Sequence, residues 1–217
     1  MSDLTVIFIT ANEVPEKWVE FHRKNLDIAA EGHRILTIGR TNGDLIDTEP
    51  KSYGNIYRQL LRGAKHSDTK YVAMAEDDTL YSKEHFNCFR PKDDEFAYNR
   101  SRWSLFTWFP VYSLRNRISN CSLIAPRELL IESLEERFSK KIHEKLMGEC
   151  GRNSLERQMG ITLRKMVEFH SEVPIVQLSH PKGSEDRQKR RWKKLAQIKA
   201  IDIPYWGKAE EIIKNYE

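Results

Sequence analysis

The sequence predicts a single α/β domain whose sheet, parallel or mixed, is flanked by helices. Two observations carry this prediction. Apolar runs recur at residues 4–10, 34–39 and 71–75, the first of them rich in β-branched residues, and stretches with helical spacing of apolar residues separate them. Alternating strands and helices favour a Rossmann-like sheet with right-handed crossovers, and 217 residues suffice for one domain with a real core.

The first half of the chain carries clear helix boundaries. Pro15 suits the first position of a helix that follows the strand at residues 4–10, and Gly32 stands where the C-terminal cap of that helix is expected. Ser52 is a candidate N-terminal cap for a second helix, which leads to the strand at residues 71–75.

The second half of the chain is less regular. The aromatic run at residues 103–112 is unsuited to a solvent-exposed loop, and residues 121–125 are predicted to form a strand. Apolar positions at helical spacing predict an amphipathic helix over residues 127–145. A further helix is expected over residues 154–167, and a last short strand over residues 175–178.

Composition restricts the compartment and the partners. No stretch approaches the roughly 18 to 20 apolar residues of a membrane-spanning helix, and the N-terminus lacks a signal-peptide pattern, so a cytoplasmic protein is expected. The 3 cysteines are widely spaced, which argues against a disulfide framework or a zinc cluster. The net charge is +4, but basic residues crowd into residues 182–199, which form the candidate electrostatic footprint.

An acidic triplet, Glu76, Asp77 and Asp78, follows the apolar run at residues 71–75 directly. Ligands of parallel α/β sheets bind outside the carboxyl ends of the strands, and Mg²⁺ or Mn²⁺ prefers carboxylate oxygen. A polar turn after a strand is the alternative interpretation of the same three residues.

Residues 71–86, YVAMAEDDTLYSKEHF, resemble the metal-binding segment of GT-A-fold glycosyltransferases. The triplet looks like the EDD variant of the DXD motif that occurs in inverting N-acetylglucosaminyltransferases, and the whole chain is similar to small bacteriophage glycosyltransferases. The resemblance implies one GT-A-like domain over residues 1–217. Its parts would be a nucleotide-binding half at 1–90, an acceptor half at 91–183 and a basic C-terminal extension at 184–217.

The same resemblance implies a cofactor and its ligands. Asp78 would bind Mn²⁺ or Mg²⁺, which bridges the diphosphate of a sugar nucleotide, most simply a UDP-sugar, while Glu76 and Asp77 would contact ribose or sugar hydroxyls. His180 matches a late histidine that completes the metal or phosphate site in many members, and a structural histidine is the alternative. Lys182 would neutralise the diphosphate.

Residues for the nucleotide base would come, by resemblance, from the ends of the first two strands. Thr10, Ala11 and Asn12 follow the first strand, and Arg40 ends the second. Asn12 is favoured for base recognition because an amide offers both a donor and an acceptor.

An inverting glycosyltransferase requires a carboxylate base on the acceptor side. Glu149 and Glu156 follow the amphipathic helix, where the family usually places this base. Glu156 is the first choice because Leu155-Glu156-Arg157 resembles the acidic pair that opens a helix at this place in the family. The position of the second acid of that pair is occupied by Arg157. A first-turn glutamate that faces the helix dipole is the alternative.

The aromatic run and the basic segment favour a polyanionic acceptor. Trp103, Phe106, Trp108, Phe109 and Tyr112 could form a stacking platform, although such residues are more often core. The favoured acceptor is a hydroxymethylated pyrimidine in phage DNA, with the enzyme in the cytoplasm of a bacterial cell or a phage-infected host. The alternatives are a surface or lipid-linked glycan as acceptor, a nucleotidyltransferase, and a non-catalytic nucleic-acid-binding module.

Overall fold

A computed structural model describes residues 2–12, 14, 16–106, 109–140, 142, 147–179 and 198–216. In chain order its elements are β1 (Leu4–Ile9), α1 (Glu16–Ala29), β2 (Arg34–Gly39), β3 (Leu45–Ile46), α2 (Tyr53–Lys65), β4 (Tyr71–Glu76), β5 (Thr79–Leu80), α3 (Lys83–Asn87), β6 (Glu95–Asn99), β7 (Arg102–Phe106), β8 (Phe109–Leu114), a 3-10 turn (Asn120–Ser122), β9 (Leu123–Pro126), α4 (Arg127–Ser139), α5 (Asn153–Met159), β10 (Lys165–Phe169), β11 (Ile175–Ser179), β12 (Lys199–Ala200), β13 (Asp202–Ile203), β14 (Gly207–Lys208), α6 (Ala209–Ile213) and a final 3-10 turn (Lys214–Tyr216).

A seven-stranded sheet, in the order β10-β6-β9-β4-β1-β2-β3, forms the centre of the molecule. β1 is parallel to both β2 and β4, and Ile9 pairs with Glu76, so β1 and β4 end side by side. β9 runs antiparallel between β4 and β6. The prediction of an α/β fold with a mixed sheet flanked by helices is therefore confirmed.

Helices cover both faces of this sheet. Side chains alternate along a strand, so Phe8 lies in one hydrophobic cluster with Leu26 of α1, while Ile7 lies in a second cluster with Leu60 of α2. Burial of each such side chain stabilises the fold by roughly 1.5–3 kcal/mol. Because both faces are occupied, the edge where the parallel strands end is the place left for polar chemistry.

The predicted helix boundaries in the first half are confirmed in two places. The Ser52 hydroxyl accepts a hydrogen bond of 3.1 Å from the Asn55 backbone N–H, which is the expected N-terminal cap of α2. Gly32 has a φ of +86°, a left-handed conformation that glycine adopts without strain, just beyond the end of α1.

The predicted helix over residues 154–167 is confirmed over its first half, and its predicted end was wrong. α5 ends at Met159, and Gly160 follows with a φ of +63° as its C-terminal cap. Residues 165–169 then form β10, which pairs with β6 in parallel at the edge of the seven-stranded sheet. The left-handed glycine ends the helix, and sheet pairing fixes the segment beyond it.

A second sheet, in the order β12-β8-β7-β11-β5, continues from the end of β4. The two-residue strand β5 lies antiparallel to β11, with Thr79 paired to Gln177. β11 in turn runs parallel to β7, with Gln177 paired to Ser104. This pairing brings residues from the second half of the chain beside the turn that follows β4.

The C-terminal residues 198–216 pack against both the second sheet and α1. β12 pairs with β8, and Ile213 and Tyr216 lie in the hydrophobic cluster of the second sheet. The Tyr216 hydroxyl is 2.6 Å from Nε2 of His22 in α1. In the part of the chain that the structure describes, no helix is long and apolar enough to span a bilayer.

Candidate functional site

The acidic triplet forms the turn between β4 and β5, and all three residues are partly exposed. The Asp78 backbone carbonyl accepts a 2.6 Å hydrogen bond from the Leu178 N–H, and its Oδ1 accepts from the Thr79 hydroxyl at 2.9 Å. The turn is thus attached to β11 by its main chain, which fixes where the acidic side chains lie.

Glu76 and Asp78 converge on one amide group. Nε2 of Gln177 donates to Oε2 of Glu76 at 3.4 Å and to Oδ2 of Asp78 at 3.5 Å. Both bonds are long, and they place the two carboxylates on either side of a single nitrogen. Two like charges held this close create a region of negative potential at the end of β4.

Asp77 points in a different direction, towards the end of β1. Its Oδ2 accepts a 2.6 Å hydrogen bond from the hydroxyl of Thr10, which is almost fully buried. The Thr10 oxygen also accepts from the Asn12 backbone N–H at 3.0 Å. The structure therefore brings Thr10 and the triplet together, and Ala11 lies partly exposed beside them.

Asn12 connects the loop after β1 to the loop after β2. Its Oδ1 accepts from the backbone N–H of Arg40 at 2.6 Å and of Thr41 at 3.1 Å, and its Nδ2 donates to Asn42 at 2.9 Å. Asn12 itself has a φ of +53°, a conformation that asparagine tolerates better than most residues. These contacts commit its amide to loop structure, and its predicted contact with a nucleotide base stays a prediction.

Gly39 is required where the two loops meet. A Cβ atom at this position would lie 2.0 Å from the Asn42 carbonyl oxygen. The Arg40 side chain turns to the loop before α2, where Nη1 donates to the Glu49 carbonyl at 2.7 Å and lies 3.7 Å from Asp47. Arg40 is thus positioned by backbone and carboxylate contacts at the same sheet edge as Asn12.

Two buried groups near the triplet, the Tyr81 phenol and the Cys121 thiol, stay protonated. The Tyr81 hydroxyl accepts from the Glu76 N–H at 3.0 Å and donates to the Cys121 carbonyl at 3.1 Å. Burial raises the pKa of Tyr81 well above its usual value, and burial with the nearby Glu76 carboxylate raises the pKa of the Cys121 thiol to about 12. Both groups therefore stay neutral near pH 7 and add no charge to the site.

Tyr216 brings the C-terminal turn to the same place. Burial is the main cause of its raised pKa, and the Asp78 carboxylate is the next. The hydroxyl that bonds to His22 therefore lies near Asp78 as a neutral group.

Glu156 lies inside the protein, which argues against its predicted role as catalytic base. Its exposed fraction is 0%, and its two oxygens accept backbone N–H bonds from Gly151 at 2.8 Å and from Arg164 at 2.9 Å. Nη2 of Arg137, which is also fully buried, lies 3.8 Å from Oε1. A base must touch the acceptor hydroxyl, and the geometry favours a structural role for this carboxylate instead.

Glu149 occupies a more open position. Its side chain is 21% exposed, and Oε2 lies 3.3 Å from Nη1 of Arg152 on the surface. The neighbouring Tyr57 hydroxyl accepts from Nδ2 of Asn120 at 2.8 Å, and Asn120 directly precedes the Cys121 carbonyl that bonds to Tyr81. Burial is the main cause of the raised pKa of Tyr57, and the Glu149 carboxylate adds to it, so the two residues lie near each other.

The remaining predictions fall partly outside the described residues. His180, Lys182 and Trp108 lie outside them, so their predicted roles are untested. Among the described residues, no group of three or more His, Cys, Asp or Glu side chains has the arrangement of a metal site. Glu76 and Asp78 offer a pair of partly exposed oxygen donors, the donor type and number that Mg²⁺ or Mn²⁺ takes when phosphates complete its coordination.

The predicted aromatic platform is mostly core. Phe106 and Tyr112 are fully buried, and Tyr112 lies in the hydrophobic cluster of the second sheet. Trp103 is half-buried, while Phe109 is 37% exposed. Among the described residues of the run, Phe109 is thus the one best placed to meet a ligand.

Two residues of the site were missed by sequence reasoning. Gln177 contacts both carboxylates, and the buried Arg102 contacts Gln177 at 2.5 Å. A signal for Gln177 was present, since it is the one polar residue in the apolar run of residues 175–178. Arg102, which directly precedes the aromatic run, gave no comparable signal.

Several solved structures are similar to this protein in fold. A glycosyltransferase involved in the glycosylation of the major capsid of PBCV-1 matches with a TM-score of 0.50 and 7% identity, over 88% of this chain and 100% of that chain. The inositol-1-phosphate CTP transferase from T. maritima matches with a TM-score of 0.48 and 10% identity, over 88% of this chain and 95% of that chain. S. aureus TarS 1-349 in complex with UDP has a TM-score of 0.45 and 12% identity, over 82% and 61% of the two chains.

These likenesses concern the fold. The match to the PBCV-1 capsid glycosyltransferase extends over that whole chain and shows that this protein has a GT-A-like fold. No protein-family model matches the sequence, and no curated protein does.

Proposed function

We propose that this protein is a glycosyltransferase that moves a sugar from a nucleoside-diphosphate donor, most simply a UDP-sugar, to an acceptor hydroxyl. The observation that carries the proposal is the convergence of Glu76 and Asp78 at the end of β4, in a fold shared with a glycosyltransferase. Ligands of such sheets bind at this edge, and paired carboxylates there suit a cation and a diphosphate rather than an uncharged ligand.

The donor would lie across the ends of β1, β2 and β4. Asp78, with Glu76 beside it, would hold Mn²⁺ or Mg²⁺, and the ion would supply Lewis-acid stabilisation of the charge that develops on the departing diphosphate. Asp77 and Thr10 would position the ribose or sugar, with Asn12, Ala11 and Arg40 around the base. His180 and Lys182 complete the proposal as a metal ligand and a phosphate contact, as the family resemblance implies.

Glu149 is the base in this proposal. An acceptor hydroxyl oxygen forms a bond to the anomeric carbon, the bond from that carbon to the diphosphate breaks, and the hydroxyl proton passes to the Glu149 carboxylate. Attack from the face opposite to the leaving group inverts the anomeric configuration. Partial exposure of Glu149 supports this role, because the base must reach a bound acceptor.

A donor screen tests the function directly. Thermal melting is measured with a panel of nucleoside diphosphates and their sugars, with and without Mn²⁺. A donor at 100 times its Kd adds about 2.7 kcal/mol to the free energy of unfolding, so the correct nucleotide should raise the melting temperature in an Mn²⁺-dependent manner. No shift with any nucleotide would contradict the donor site and favour the non-catalytic nucleic-acid-binding alternative.

The released product separates two transferases. A glycosyltransferase releases a nucleoside diphosphate from a sugar nucleotide, whereas a nucleotidyltransferase releases pyrophosphate from a nucleoside triphosphate. Release of nucleoside diphosphate with Mn²⁺ supports the proposal, and release of pyrophosphate alone contradicts it. The same fold supports both chemistries, so the product decides.

For the acceptor, we propose a hydroxymethylated pyrimidine in DNA, which requires a cytoplasmic enzyme in a bacterial or phage-infected cell. The basis is the crowding of Lys and Arg in residues 182–199, most of which lie outside the described residues. Six phosphate contacts would lower the affinity for duplex DNA about 1,000-fold between about 50 and 200 mM salt.

Duplex DNA affinity is measured across that salt range by gel shift, with anionic liposomes as the matched comparison. A steep loss of DNA affinity with salt is the expected result. Absence of DNA binding at low salt, together with sedimentation of the protein with the liposomes, would contradict the DNA acceptor and favour a surface or lipid-linked glycan.

A further inference from the structure

Arg102 is a buried arginine that contacts Gln177, the residue that bonds to two members of the acidic triplet. Arg102, the first residue of β7, is 1% exposed. Nη1 donates to Oε1 of Gln177 at 2.5 Å, and Nη2 donates to the Arg117 carbonyl at 3.0 Å. Its Nε has no hydrogen-bond partner within the described chain. This is an unusual environment, because a buried guanidinium normally pairs with a carboxylate.

One amide group connects Arg102 to the acidic triplet. Among the described residues, no carboxylate lies within ion-pair distance of Arg102, and both of its acceptors are neutral. Gln177 receives the guanidinium on its oxygen and presents its nitrogen to Glu76 and Asp78. The charge of Arg102 is therefore connected to the triplet through Gln177.

The arginine also fixes which way the amide faces. Arginine can only donate hydrogen bonds, so the Gln177 oxygen must face Arg102 and the NH₂ group must face the carboxylates. Hydrogen bonds in such a chain strengthen one another, because a cation at the oxygen polarises the amide and makes its N–H groups better donors. Ladder pairing of Gln177 with Thr79 and Ser104 holds its backbone in register.

We propose that Arg102 and Gln177 are positioning residues. They hold the Glu76 and Asp78 carboxylates close together, so that each can supply one oxygen ligand to the divalent cation. This inference rests on the proposed function, because it concerns the same cation. Without the amide, the two like-charged side chains would lose the donor that they share, and binding of the cation would have to overcome more of their mutual repulsion. Outer partners of metal ligands typically change metal affinity about 10- to 100-fold.

The test is a double-mutant cycle on cation affinity. Mn²⁺ affinity is measured from the electron paramagnetic resonance signal of free Mn²⁺, with and without nucleoside diphosphate. Gln177→Met keeps the length of the side chain and removes the donor, and it should weaken Mn²⁺ binding about 10-fold. Arg102→Met should weaken it as well, and the double variant should bind no worse than Gln177→Met, because Arg102 acts through Gln177.

The controls separate this inference from the proposed function. Gln158→Met makes the same change on the exposed side of α5 and should leave Mn²⁺ affinity as in the wild type. If the wild-type protein binds no Mn²⁺, the proposed cation-binding site at Glu76 and Asp78 and the proposed cofactor are both overturned. If the wild type binds Mn²⁺ and Gln177→Met binds it equally well, the positioning role alone is overturned. Additive losses in the double variant would overturn the link between the two residues, with melting curves showing that each variant is folded.

Discussion

Replacing Asp78 with asparagine is expected to lower donor turnover about 100- to 1,000-fold while the fold is retained, a loss typical of removing one electrostatic contact to a leaving group. The side chain keeps its size, and its oxygen can still accept from Thr79. Its charge is lost, and its new NH₂ group would face the NH₂ group of Gln177, so two donors would oppose each other. Initial rates of nucleoside diphosphate release with Mn²⁺ measure the effect.

The matched control is Asp68→Asn. Asp68 precedes β4, at the opposite end of the strand from Asp78, and its side chain is 84% exposed with a 3.7 Å contact to Arg34. Exposed ion pairs contribute about 0–1 kcal/mol, so this variant should match the wild type in rate and in melting temperature. Equal rates for Asp78→Asn and Asp68→Asn would remove Asp78 from the proposed cation site.

The position of the triplet was predictable because the sequence signal for it lies within a few neighbouring residues. An apolar run followed directly by acids marks where a buried strand reaches the surface, and the alternation of strands and helices makes β1, β2 and β4 end at one edge. The partner of the triplet was not predictable in this way. Gln177 lies 99 positions after Asp78, and a two-residue ladder between β5 and β11 brings the two together.

The early end of the helix predicted over residues 154–167 shows a different limit. Apolar residues at helical spacing continue past Met159, but Gly160 adopts a left-handed backbone and ends α5. That glycine was visible in the sequence as a stop signal. The fate of residues 165–169 was not, because β10 forms only by pairing with β6, far away in the chain.

The choice between the two glutamates depends on burial, which the motif did not reveal. Replacing Glu156 with alanine is expected to cost about 3–5 kcal/mol of unfolding free energy, because the Arg137 cation would stay buried without its counter-charge. Two buried N–H groups, of Gly151 and Arg164, would also lose their acceptor. Urea unfolding measures the loss, and Glu128→Ala, which removes a 76% exposed glutamate, is the control.

Replacing Glu149 with glutamine is expected to lower the rate of sugar transfer and to leave the stability of the fold nearly unchanged, the reverse of what is expected for Glu156→Ala. Arg137 donates to the Gly148 and Glu149 carbonyls at 2.6 and 3.4 Å, so the Glu156 network holds the backbone that carries the Glu149 side chain. Loss of the exposed pair with Arg152 should leave the unfolding free energy within about 1 kcal/mol of the wild type. Loss of the base should lower the rate of sugar transfer about 100- to 10,000-fold. Normal transfer by Glu149→Gln would show that another group takes the acceptor proton.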